Sequence, residues 1–153
     1  MTTIQTVGLL GLGKMGCPMA RHIIAGGYRV IGYDPLSNAC GAAAAVGARI
    51  AGSPREVAQA SDLVVIVVGF DSEVETVLYG KNGVMEAARP GLIVAVGSTI
   101  APRTAVRLAA RAAGQGVVLL DIPLTRGEAA AHAGKLLILG AGNEQVFEAC
   151  RPV

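Results

Sequence analysis

At 153 residues the chain is long enough for one domain with a full hydrophobic core, and we treat residues 1–153 as a single unit. Hydrophobic residues make up 52% of it and aromatics only 3%, at a mean hydropathy of +0.54, yet the longest apolar run, Leu63 to Phe70, falls far short of the roughly 18 residues of a membrane-spanning helix. The formal net charge of +2 is small and the basic residues are scattered, so neither nucleic acid nor a membrane is expected as a partner.

The first elements carry the most information. Ile4 to Leu10 reads as a buried strand running into Gly11-Leu12-Gly13-Lys14-Met15-Gly16, after which Met19, Ile23 and Ile24 recur at helical spacing. Tyr28 to Tyr33 is a second strand, and Asp34 ends it, close to the 20-residue spacing at which a dinucleotide fingerprint places its acid. Gly11 permits the tight turn out of the strand, Gly13 lets the backbone approach a pyrophosphate, and Gly16 lets the helix pack against the sheet. The helix start offers unpaired N–H groups and partial positive charge to phosphates. Asp34 would accept hydrogen bonds from the adenosine ribose. A 2′-phosphate about 5 Å from that carboxylate would meet repulsion of roughly 1–3 kcal/mol. Pro35, Leu36, Ser37 and Asn38 supply no base to offset it, so NAD is favoured over NADP.

Asn38 to Val46 reads as an Ala-rich helix and Gly47 to Ile50 as a third strand. Ser53-Pro54-Arg55-Glu56 is a helix start with Ser as N-cap and Pro in the first turn. Leu63 to Val68 is a central strand buried on both faces. Asp71 to Tyr79 is helical, and Leu92 to Val96 is the fifth strand. Pro102 opens a helix to Ala113 whose outward Arg103, Arg107 and Arg111 read as a solvated face. Val117 to Leu120 is the sixth strand. A Gly/Ala-rich loop containing His132 follows, then a seventh strand at Leu136 to Leu139 and a helix capped by Asn143. The pattern predicts an α/β, Rossmann-type, doubly wound parallel sheet in the order 3-2-1-4-5-6, with helices on both faces and an extra C-terminal strand. Ligands would then bind at the carboxyl ends of the strands, where Gly69-Phe70, Gly97-Ser98-Thr99 and the segment from Asp121 lie; the Ser98 and Thr99 hydroxyls are placed to meet the nicotinamide or its ribose.

Cys17, Cys40 and Cys150 lack metal-ligand spacing, so reduced thiols and no metal site are expected. Met1-Thr2-Thr3-Ile4 carries no secretory signature, which predicts a cytoplasmic location. His22 and His132 read as surface groups, as do Lys81 and Lys135 beside turns.

Four ordered motifs resemble the β-hydroxyacid dehydrogenase family, which includes 3-hydroxyisobutyrate and 6-phosphogluconate dehydrogenases: Gly11-x-Gly13-x-Met15-Gly16, Tyr33-Asp34-Pro35, Gly97-Ser98-Thr99, and Asp121-x-Pro123-x-Thr125-x-Gly127 with Gly134-x-Leu136. The resemblance covers the family's N-terminal, cofactor-binding domain. It implies that Gly11, Leu12, Gly13, Lys14, Met15 and Gly16 surround the pyrophosphate of NAD, that Asp34 takes the ribose, and that Val68, Gly69, Phe70 and Thr99 lie against the cofactor. It also implies that Thr125, Arg126 and Gly127 bind substrate, with Thr125 at a position where serine is usual and Arg126 in place of a glycine. The implied activity is hydride transfer between nicotinamide and a small 3-hydroxyacid or semialdehyde; apolar surface exposed without the family's second domain would be covered in a homodimer. The family's general acid/base lysine belongs to a second, all-helical domain, so no catalytic residue is expected in this chain. The alternatives are a cofactor-binding module without turnover and an imine-reductase-like enzyme.

Overall fold

The computed structural model describes residues 3–153; Met1 and Thr2, the start of the segment read above for a targeting signal, lie outside the described residues. Six parallel strands form one sheet in the order β3-β2-β1-β4-β5-β6. They are β1 (Thr6–Leu10), β2 (Arg29–Tyr33), β3 (Arg49–Ile50), β4 (Leu63–Ile66), β5 (Ile93–Val96) and β6 (Val118–Asp121). The helices between them are α1 (Gly16–Ala25), α2 (Ser37–Ala45), α3 (Pro54–Ala60), α4 (Asp71–Tyr79) and α5 (Pro102–Ala113). Both the order and the layering match the sequence reading.

The alternation of side chains along each strand builds two cores. Leu10, Val64, Ile66, Val94 and Val96 face the layer of α3, α4 and α5, where they meet Val57, Val74, Leu78 and Leu108. Val7, Leu9, Leu63, Val65 and Ala95 face the other way, toward Ala20 and Ile23 of α1. β1 and β4 are buried on both faces, which is why their sequences run almost without polar residues. The predicted caps form: Ser53 Oγ accepts the Glu56 N–H at 3.2 Å and Asn143 Oδ1 accepts the Val146 N–H at 3.0 Å.

Two expectations need correction. The Gly/Ala-rich loop is a helix, α6 (Gly127–Ala133). Its alanines are the strongest helix formers, and the glycines that suggested a loop are its ends, Gly127 and Gly134, with φ of +71° and +66°. The supposed seventh strand is shorter and lies outside the main sheet: β8 (Leu137–Ile138) pairs antiparallel with β7 (Leu124–Thr125), a two-residue strand too short to leave a periodic signal. The final helix is α7 (Glu144–Cys150).

The arginine stripe on α5 is exposed, as expected, and it also finds partners on α4. Arg107 pairs with Glu75, Arg111 lies 3.6 Å over the Tyr79 ring, and the charge of Arg103 acts on Asp71. Asp71, Glu75 and Tyr79 recur every four residues on α4, so two helix faces of equal period meet rung by rung.

The fully buried Leu108 and the 71%-exposed Val106 sit on opposite sides of α5. Leu108→Ala is expected to cost about 2–5 kcal/mol of stability and Val106→Ala less than about 0.5 kcal/mol, measured by urea denaturation.

Candidate functional site

The site grows from the turn that follows β1. Gly11 adopts φ +94° and donates its N–H to the Tyr33 carbonyl at 3.0 Å. A side chain on Gly11 would strike the Val67 carbonyl, and one on Gly16 would strike the Gly11 carbonyl. Both glycines are therefore demanded by the chain's own packing. The expected role of Gly16, packing α1 against the sheet, gives way to another: it lets α1 approach the turn itself. Gly13 differs: a Cβ there would meet no atom within 4 Å. Its missing side chain leaves room for something other than protein. Beside it, the N–H groups of Gly13, Lys14 and Met15 have no acceptor among the described residues and stand at the start of α1. An open cradle of backbone donors at a helix start fits a pyrophosphate.

Leu12 plays another part from the one expected. Its side chain is buried in the core against Gly32, and its N–H donates to Asp34 Oδ2 at 2.8 Å. The Leu36 N–H donates to Asp34 Oδ1 at 2.9 Å. The carboxylate is thus fixed from both sides at the end of β2, with lone pairs left for further donors. It lines a cleft of about 590 Å³ that also takes in Gly11, Gly13, Leu36, Val68 and Gly69.

The loops after β4 and β5 are braced to one another. Val68 donates its N–H to the buried Ser98 Oγ at 2.9 Å, so that hydroxyl is engaged within the protein rather than held out for a nicotinamide. The Glu73 carboxylate accepts the Gly69 N–H at 2.6 Å and the Phe70 N–H at 3.3 Å. Asp71 Oδ2 accepts the Ala101 N–H at 3.2 Å. A hydrogen bond from Thr104, and then that from Ala101, hold the Asp71 carboxyl below its ordinary range. The Phe70 ring is exposed and outside the cleft lining, as is Thr99 just beyond β5. Sequence reasoning missed Ser98, Asp71 and Glu73 as braces. Only Glu73 left a signal, an acid at the third position of a helix.

The segment read as the substrate loop sits beside the glycine turn because α6 docks on α1. The Lys14 ammonium lies 3.6 Å from Glu128, Arg21 donates to the His132 carbonyl at 2.6 Å, and a ring nitrogen of His22 lies 3.0 Å from the same carbonyl. His22 and His132 are thereby parts of a helix contact. Thr125 is half-buried in β7, while Arg126 is exposed, with its φ of +78° in the left-handed region and a single long bond, 3.4 Å, to the Lys135 carbonyl. Asp121, at the end of β6, has its carboxyl pushed up by burial. Burial also pushes the Cys150 thiol up to about 11, which makes it a poor nucleophile at neutral pH. Among the described residues no group of three or more His, Cys, Asp or Glu side chains could hold a metal ion.

Residues 6–153 match the family model of the NAD binding domain of 6-phosphogluconate dehydrogenase. The chain belongs to the β-hydroxyacid dehydrogenase family. It is the family's NAD-binding domain. It is 33% identical to the NAD-dependent L-serine dehydrogenase of Pseudomonas aeruginosa over 150 residues, 98% of this chain and 50% of that protein. The solved structure of Mycobacterium tuberculosis 3-hydroxyisobutyrate dehydrogenase with L-serine matches at a TM-score of 0.92 and 32% identity, over 97% of this chain and 50% of the other. A Streptomyces aurantiacus imine reductase matches at 0.85 and 25%, over 96% and 50%. The chain spans about half the length of the curated relatives it matches.

Arg126→Gly removes a left-handed penalty of about 1–2 kcal/mol and adds an entropic cost of about 0.5–1 kcal/mol, so no loss and a gain of up to about 1.5 kcal/mol is expected in thermal melts. Asp71→Asn tests the loop brace. The folded carboxyl lies below its ordinary value of 3.8, so its stabilisation is present above that value and is lost as pH falls through the folded one. The stability deficit of the variant is expected to be full at neutral pH and to vanish in strong acid.

Proposed function

We propose that this chain is the cofactor half of an NAD-dependent oxidoreductase acting on a small 3-hydroxyacid or semialdehyde. The observation that carries the reading is the pairing of an open Gly13 with a carboxylate fixed by the Leu12 and Leu36 N–H groups. In this reading the N–H groups at Gly13, Lys14 and Met15 hold the pyrophosphate and Asp34 holds the ribose hydroxyls. Val68 and Gly69, with Phe70 and Thr99 farther out along the loops after β4 and β5, lie along the nicotinamide half. When bound, NAD supplies hydride acceptance or donation at the nicotinamide.

The protein's share is positioning. The bonds from Val68 to Ser98 and from Ala101 to Asp71 keep the two loops at one spacing, and the docking of α6 on α1 holds the substrate loop near the glycine turn. The Thr125 hydroxyl and the Gly127 backbone would anchor a substrate carboxylate, with Arg126 available as a charged donor. No lysine of this chain matches the family's acid/base position, which supports a domain that binds cofactor without turning substrate over alone. The likeness to an imine reductase supports imine reduction as the second reading. Exposed Leu137, Ile138 and Leu139 support a homodimer, and the three free thiols suit a reducing cytoplasm.

Fluorescence titration of the chain is expected to show NADH binding about tenfold or more tighter than NADPH, because a 2′-phosphate would face Asp34. Tighter binding of NADPH would overturn the assignment of Asp34. A steady-state assay with 3-hydroxyisobutyrate or L-serine is expected to show little turnover by this chain alone; robust turnover would place the proton-transfer group within it.

A further inference from the structure

The same cleft extends beyond Asp34, and its far end has a chemistry of its own. Ser72 and Glu73, then Thr76 and Val77, line it from one face of α4 at four-residue spacing; the helix ends at Tyr79, Gly80 is extended, and Lys81 in the turn beyond it joins the lining. α4 has nine residues and so spans about 13 Å, which sets Lys81 a helix length away from the loop at Gly69. The other walls at this end are apolar, made by Leu36, Pro54 and Val77.

Among the described residues Lys81 is the only cation of the lining, and it is uncommitted. The two acids that share the cleft are engaged: Asp34 by the Leu12 and Leu36 N–H groups, Glu73 by those of Gly69 and Phe70. No carboxylate pairs with Lys81 among the described residues. Its backbone, by contrast, is held firmly. The neighbouring Asn82 sits at φ +56°, donates its N–H to Glu86 Oε1 at 2.9 Å, and accepts the Arg55 N–H at 2.8 Å. A fixed turn thus adds an unpaired lysine to the lining that Leu36, Pro54 and Val77 share.

We infer that Lys81 recognises the adenine base of the cofactor. This rests on the reading of the cleft in which the glycine turn takes the pyrophosphate and Asp34 the ribose. The base attached to that ribose must then extend toward Leu36, Pro54 and Val77. A flat purine fills an apolar slot, and its ring nitrogens and π face both attract a cation. Lys81 acts on the base rather than on a 2′-phosphate because the ribose hydroxyl that would carry the phosphate faces Asp34.

The test uses Lys81→Ala and Lys81→Met, the latter keeping the apolar stem, titrated with NADH, NADPH and reduced nicotinamide mononucleotide, which lacks adenosine. Both variants should melt like the parent, since the side chain is exposed. Both should lose about two- to fivefold in NADH affinity and leave the mononucleotide unchanged. Equal loss for the mononucleotide, unchanged NADH binding, or a larger loss for NADPH than for NADH would each overturn the inference. A parent chain that binds the mononucleotide but shows no gain from the adenosine half would also overturn it. A parent chain that binds none of the three would instead overturn the underlying cofactor reading, and this inference with it.

Discussion

At Gly11 the chain leaves the sheet in a left-handed conformation, with its N–H on the Tyr33 carbonyl and its α-carbon pressed toward the Val67 carbonyl. No side chain fits there. Three strands therefore end at fixed positions around one backbone turn: β2 through Tyr33, β1 through Gly11 itself, and β4 through Val67. Gly16 packs against the carbonyl of Gly11, so the start of α1 is locked to the same point. A site assembled this way depends on backbone geometry more than on the flexible reach of side chains. It is preorganised before any ligand arrives.

The consequences spread outward through short bonds. Leu12 is buried in the core, and this fixes its N–H toward Asp34. The Asp34 carboxylate is thus aimed by a hydrophobic residue. Ser98, Glu73 and Asp71 perform the same service for the loops after β4 and β5, each spending a side-chain oxygen on a backbone N–H. The cleft is left with two kinds of polar group: those satisfied within the protein, which give it shape, and those still open, which a ligand can use. The open ones are the N–H groups at the glycine turn, the remaining lone pairs of Asp34, and the ammonium of Lys81.

Much of this was legible in the sequence because the fold's demands fall on residue type. Only glycine suits positions 11 and 16, the buried strands need β-branched and aliphatic runs, and Ser53 and Asn143 announce their helices through capping chemistry. The six-stranded order followed from the alternation of strand and helix. What stayed hidden has physical causes. The two residues of β7 are too few for a period. The alanines of α6 fit a helix and a loose loop equally well until the left-handed glycines at its ends are seen. The bonds of Ser98 to Val68 and of Asp71 to Ala101 join residues about 30 apart in sequence, and nothing local marks them. The arginines of α5 showed their spacing but not the matching face of α4. Arg126 was visible as a departure from the family's glycine, whereas its left-handed backbone was not.

The central claim is that the turn from Gly11 to Gly16, with Asp34, forms the nucleotide cradle. Amide NMR during titration with NAD tests it most directly. The account predicts that the largest shifts fall on Gly13, Lys14 and Met15, with Leu12 and Leu36 moving as Asp34 takes up the ribose. Shifts confined to the β7–β8 ribbon and α7, with the glycine turn unmoved at saturation, would contradict it.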